Sequence, residues 1–215
     1  ARMYAYEGQT WGDIWGFETD RYFTEDDFNG KDANGKWIYK EGVADQTGIQ
    51  TDNFVFGPGD IKYKDLDGNK VIDGGKGTAE DHGDLKVIGN TMPRYEYSFR
   101  LGGTYKGFDL DLFFQGVGKR NMWTKSSFVF PEMRNADIAI YKNQTNYNIY
   151  DPENGIVDIS QSNKYPCLYP GNEGAGNVSG LSPIGGSHNY YPQSKYLINM
   201  AYLRLKNVTI GYTLP

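Results

Sequence analysis

The 215-residue chain sets 22 Lys+Arg against 27 Asp+Glu, a formal charge of −5 with both signs interspersed, and offers no basic patch for nucleic acid. One cysteine, Cys167, and two isolated histidines, His82 and His188, exclude an internal disulfide scaffold and a Cys/His zinc site. With 28 Gly, 18 Tyr and 15% aromatic residues, sheet and long loops are the expected materials. No run reaches the roughly 18 to 20 apolar residues of a membrane helix, which leaves a membrane barrel of alternating strands open.

Residues 1–92 are dominated by Gly, Asp, Asn and Lys. The aromatics Trp11, Trp15, Phe17, Tyr22 and Phe23 stand among glycines and acids, a pattern that suits a folded loop better than a long strand. Gly57-Pro58-Gly59 predicts a turn before a short extended piece over residues 60–64.

The clearest regular element is RYEYSFRLGGTY, residues 94–105. Tyr95, Tyr97, Phe99 and Leu101 share one side; Glu96, Ser98 and Arg100 share the other, a period of two that a helix would scatter. After Lys106-Gly107, FDLDLFFQG places Phe108, Leu110, Leu112 and Phe114 on one face against Asp109, Asp111 and Gln115, so residues 94–116 read as an antiparallel hairpin. A soluble core or lipid can receive the apolar face; water or a polar lumen must receive the face with Glu96, Arg100, Asp109 and Asp111.

Residues 117–197 are irregular, with Pro-linked aromatic segments, a Gly/Asn/Ser run and one short helix expected near residues 130–142. So long an excursion between strands signals function in a compact domain. Order returns in LRLKNVTIGYTL, residues 203–214, within a final segment 198–215. Leu203 and Leu205 take one parity and Val208, Ile210 and Tyr212 the other, which a bulge near Asn207 would reconcile.

Five stretches together resemble the SusC/RagA-type TonB-dependent outer-membrane transporters of Bacteroidetes. They are GDIWGFETDRYF (12–23), FGPGDIKYKDLDGNKVID (56–73), VIGNTMPRYEYSFRLGGTYKGFDLDLFFQGVGKR (87–120), YLINMAYLRLKNVTIGYTLP (196–215) and, more loosely, KYPCLYPGN (164–172). The resemblance implies an all-β piece from the C-terminal part of an antiparallel transmembrane β-barrel of about 22 strands. Residues 1–93 and 117–197 would then be extracellular loops, and the 94–116 hairpin and 198–215 strand barrel wall. With three strand candidates, this chain cannot close a barrel alone. The implied function is import of glycan fragments or oligopeptides across the outer membrane. The implied partners are a SusD-like surface lipoprotein and TonB, which acts through an N-terminal region that this sequence lacks.

Candidate site residues fall into four sets. Asp65, Asp67, Asn69, the Val71 carbonyl and Asp73 follow positions 1, 3, 5, 7 and 9 of a Ca²⁺-wrapping loop, with Lys70 where Gly is preferred and Lys76 where a bidentate acid is wanted. Glu80, Asp81 or Asp84 can supply that acid; a solvated Asx-rich turn is the alternative. Trp11, Trp15, Trp37, Trp123, Tyr190 and Tyr191 are candidates for stacking on a sugar or a partner protein. Tyr95, Tyr97, Phe99, Leu101, Phe108, Leu110, Leu112 and Phe114 are expected to face lipid, and Glu96, Arg100, Asp109 and Asp111 the lumen. Paired Asp109 and Asp111 suit glycosidase chemistry less well than a polar lumen wall opposite Arg100. Nucleophile, zincin, phosphate-loop and dinucleotide motifs are absent, so no enzyme and no cofactor beyond Ca²⁺ is expected. A soluble secreted β-rich module that binds carbohydrate or protein is the rival.

Overall fold

A computed structural model describes residues 6–50, 54–124, 129–131, 140–168 and 188–214. Among these residues every regular element is a strand or a single 3₁₀ turn. The helix expected near 130–142 falls mostly on residues 132–139, and the Gly/Asn/Ser run on 169–187; both lie outside the described residues, as does Pro215.

The first half contributes β1 (Asp13–Phe17), β2 (Thr19–Tyr22), β3 (Phe28–Lys31), β4 (Trp37–Tyr39), β5 (Ile61–Tyr63) and β6 (Leu85–Asn90). Then come two long strands, β7 (Tyr95–Tyr105) and β8 (Phe108–Gly118). The second half adds β9 (Asn121–Met122), β10 (Ile149–Asp151), β11 (Ile156–Asp158), β12 (Ile198–Asn199) and the long β13 (Tyr202–Tyr212). The long strands form one open sheet in the order β13-β8-β7; the rest pair two by two, β1 with β6, β2 with β5, β3 with β4, β9 with β12 and β10 with β11.

The hairpin register matches the sequence reading and extends it to Gly118. Tyr105 pairs with Phe108, Leu101 with Leu112, Phe99 with Phe114 and Tyr97 with Gly116, so the apolar residues of both strands share a face. Lys106 and Gly107 both have positive φ, 49° and 85°, the paired left-handed geometry of a type I′ turn that matches strand twist. In β13 the register shifts between Leu205 and Asn207, leaving Lys206 as the extra residue. That bulge returns Val208, Ile210 and Tyr212 to the face of Leu203 and Leu205.

The segments before and after the hairpin contain short strands rather than loop alone, which corrects the sequence reading of both. The TWGDIWGFETDRYF stretch is β1 and β2, and each pairs with a strand more than 35 residues away in sequence, β6 and β5. No local periodicity can report such pairing.

The two segments also join into one body. Phe17, Tyr22, Phe23, Phe56, Ile61, Tyr63 and Leu85 from the first pack with Phe130, Tyr165, Tyr190 and Tyr196 from the second. Buried amides finish what the short strands leave unpaired. Gln46 accepts from Tyr63 N and donates to Ile61 O, Asn189 accepts from Ile61 N and donates to the buried Asp60, and Asn148 donates to Gly59 O. Asp60 also accepts from Gly57 N, which closes the Gly57-Pro58-Gly59 turn as expected.

Candidate functional site

The three-stranded sheet carries the first candidate site. One face presents Tyr95, Tyr97, Phe99, Leu101, Phe108, Leu110, Leu112 and Phe114 beside Leu203, Leu205, Val208 and Ile210 of β13. Phe99 stacks on Phe114 at 4.8 Å and Phe108 tilts against Tyr212 at 4.6 Å. No second layer of described residues covers this face: Leu101 is 55% and Ile210 72% exposed. The compact body packs its own core elsewhere.

The opposite face carries Glu96, Arg100, Asp109 and Asp111. Arg100 Nε lies 3.2 Å from Asp111 Oδ1, an ion pair between neighbouring strands, and its guanidinium sits 5.8 Å from the Phe113 ring. Asp109 approaches the Gly211 position of β13 so closely that a Cβ there would strike the carboxylate. Both acids are therefore engaged within one sheet face, and nothing places a bond between them. Phe113 and Val117, which the sequence reading left unassigned, also lie on this face.

The acidic loop is the second candidate. Asp65 accepts from Gly68 N and Lys70 N, Asp67 from Asn69 N, and the Asn69 side chain from Val71 N, a succession of Asx turns that coils the chain. Lys70 takes φ 66°, the left-handed conformation for which glycine is favoured. Lys76, in the twelfth place, pairs with Asp81 instead of entering the loop.

Asp84 enters in its stead. Its carboxylate is fully buried and accepts from Leu66 N and Asp73 N, tying both ends of the loop together. Oxygens of Asp65, Asp67 and Asp84 lie within 4.8 Å of one another. Burial, followed by the charges of Asp67 and Asp65, raises the Asp84 pKa despite those two backbone donors. Asp73 accepts from Gly75 N and is not among the three converging carboxylates. An all-oxygen donor set of this kind suits a hard divalent cation.

The loop aromatics divide. Trp11 is 83% exposed. Tyr190 is not: it is a core residue 4.6 Å from Phe130, a correction to its expected surface role. The other four are also drawn in. Trp15 packs against Tyr6 and His82, Trp37 against Phe28 and Tyr150, and Trp123 against Phe130. Tyr191 donates to Ile49 O at 2.8 Å. Aromatic side chains bury too much area to stay outside when a core forms nearby.

Sequence reasoning missed the body's electrostatic anchor. Asp27, nearly buried, receives Arg21 through two bonds of 2.6 and 2.7 Å and Lys62 at 3.1 Å. Burial alone would raise its pKa; the Arg21 bonds, Thr24 N–H and Lys62 outweigh this and hold it at about 2. Three charged residues spread over a polar segment carry no periodic signal to announce such a cluster.

No family model matches the chain. It is 27% identical over 210 residues to TonB-dependent receptor P3 of Formosa agariphila; the match covers 97% of this chain and 16% of that receptor. The chain thus resembles a segment of a TonB-dependent receptor and spans a small part of the length of its relative.

Proposed function

We propose that the chain is a barrel-and-loop segment of a SusC/RagA-type TonB-dependent transporter that imports glycan fragments or oligopeptides through the outer membrane. The observation that carries this reading is the apolar face of β7, β8 and β13, uncovered across three strands and backed by a face with charged groups. That alternation is the pattern of a strand between lipid and an aqueous interior. In this reading β7, β8 and β13 are consecutive staves of a barrel of about 22 strands. Lys106-Gly107 is a periplasmic turn and the compact body is an extracellular structure. The receptor relative and the long-loop, short-turn asymmetry support the same placement. TonB and a SusD-like lipoprotein would act on the whole protein, the first to open a path and the second to hold cargo above it.

Within the same reading the loop from Asp65 to Asp73, with Asp84, would hold Ca²⁺. The ion would replace repulsion among three carboxylates with coordination and so fasten an extracellular lobe. The chain would carry no catalytic role.

The soluble binding module draws support from the body's own core. It predicts that Tyr97, Phe99, Leu110 and Leu112 are buried too, whereas Tyr97, Phe99 and Leu110 are exposed. Membrane fractionation of the full-length protein decides between the two. Extraction only by detergent is expected; recovery as a water-soluble monomer would overturn the transporter reading.

A further inference from the structure

We propose that the cavity where β6 meets the body-side ends of β7 and β8 binds the phosphorylated headgroup of an outer-leaflet glycolipid, an inference that rests on the membrane placement above. The cavity holds about 710 Å³ and is lined in part by Arg94, Tyr95, Tyr97, Lys119 and Asn121. Its lining contains two cations and no carboxylate, in a chain whose net charge is −5. An anion is therefore the complementary ligand.

Both cations are available. Arg94 has only a loose pairing, 3.8 Å from Asp13, and its side chain remains about half exposed. Among the described residues no carboxylate pairs with Lys119. The tyrosines build the floor. Tyr95 lies over Gly118 and Tyr97 over Gly116, where any Cβ would strike the ring, so these glycines let two phenols lie close on β8.

Position selects the lipid. Tyr95 and Tyr97 belong to the apolar face, at the end of the sheet next to the extracellular body. Tyrosine at this level marks the boundary between acyl chains and headgroups, and basic pockets there take anionic lipid heads. The phosphate would meet Arg94 and Lys119 while sugar hydroxyls meet the phenols and Asn121.

The test uses the full-length protein in detergent, with bisphosphorylated lipid A and its dephosphorylated counterpart as probes, read by native mass spectrometry. The double variant Arg94→Gln, Lys119→Asn changes two exposed residues, and Asn tolerates the φ of 49° at Lys119. Phosphate-dependent binding that falls roughly thirtyfold in the variant is expected, from the loss of two cations that face the headgroup. Equal binding of the two lipids, or unchanged binding by an assembled variant, would overturn the lipid site and leave the transporter reading intact. A protein that never enters the membrane would overturn both.

Discussion

Asp27 shows how a single carboxylate governs the body's acid response. Its folded pKa of about 2 lies below the usual 3.8, so its contribution is fully present above pH 4 and is lost as pH falls towards 2. Glu18 behaves alike: hydrogen bonds from Lys64, then Lys86, hold it at about 2. The thermal stability of the body is expected to fall as pH drops through this window, and Asp27→Asn should flatten the dependence while costing roughly 2 kcal/mol at neutral pH. An unchanged pH profile in the variant would refute the assignment. Lys70 offers a complementary test. Because it occupies a left-handed conformation, Lys70→Gly should stabilise the acidic loop by about 1 kcal/mol. Calcium should raise the melting temperature of both proteins, and Asp84→Asn should abolish the rise; equal melting with Ca²⁺ and with chelator would exclude the ion.

At the level of elements, the long sheet is defined by alternation alone. Leu101 and Leu110 sit on the apolar face, and arginine at either should cost roughly 2–4 kcal/mol if that face meets the bilayer midplane. Ser98→Arg, on the opposite face, should assemble normally, as judged by resistance of the full-length protein to unfolding in detergent. The bulge makes a sharper demand. Deleting Lys206 regularises β13 without changing which residues face outward, so assembly should survive. Inserting one residue between Val208 and Thr209 would turn Ile210 and Tyr212 onto the polar face and should block it. If both changes behave alike, the register is not what orients the strand.

For the whole molecule, the two segments outside the hairpin act as one lobe. Tyr22, from the first, donates its backbone N–H to Gln161 Oε1, accepts from Gln161 Nε2 at its carbonyl and donates its hydroxyl to Asn163 O, both partners lying in the second. Cutting either segment should therefore release both. If the full protein imports cargo by the proposed route, uptake should cease when the proton-motive force is collapsed or TonB is removed, while surface binding of cargo persists. Uptake that survives TonB removal would place the chain outside active transport.

The long strands, their shared apolar face, the turn at Lys106-Gly107 and the need for a bulge near Asn207 were legible in the sequence, because side-chain alternation and turn stereochemistry are local properties. The Asp65 to Asp73 spacing was legible for the same reason, and Asp84 was among three acids able to complete it. Only the tertiary structure decided which acid enters, that Tyr190 leaves the surface for the core, and that Asp27 gathers Arg21 and Lys62. It also joined two glycine-rich stretches through buried rings and amides. Those outcomes depend on contacts between residues far apart in the chain, and neither composition nor period records which distant partners compaction will bring together.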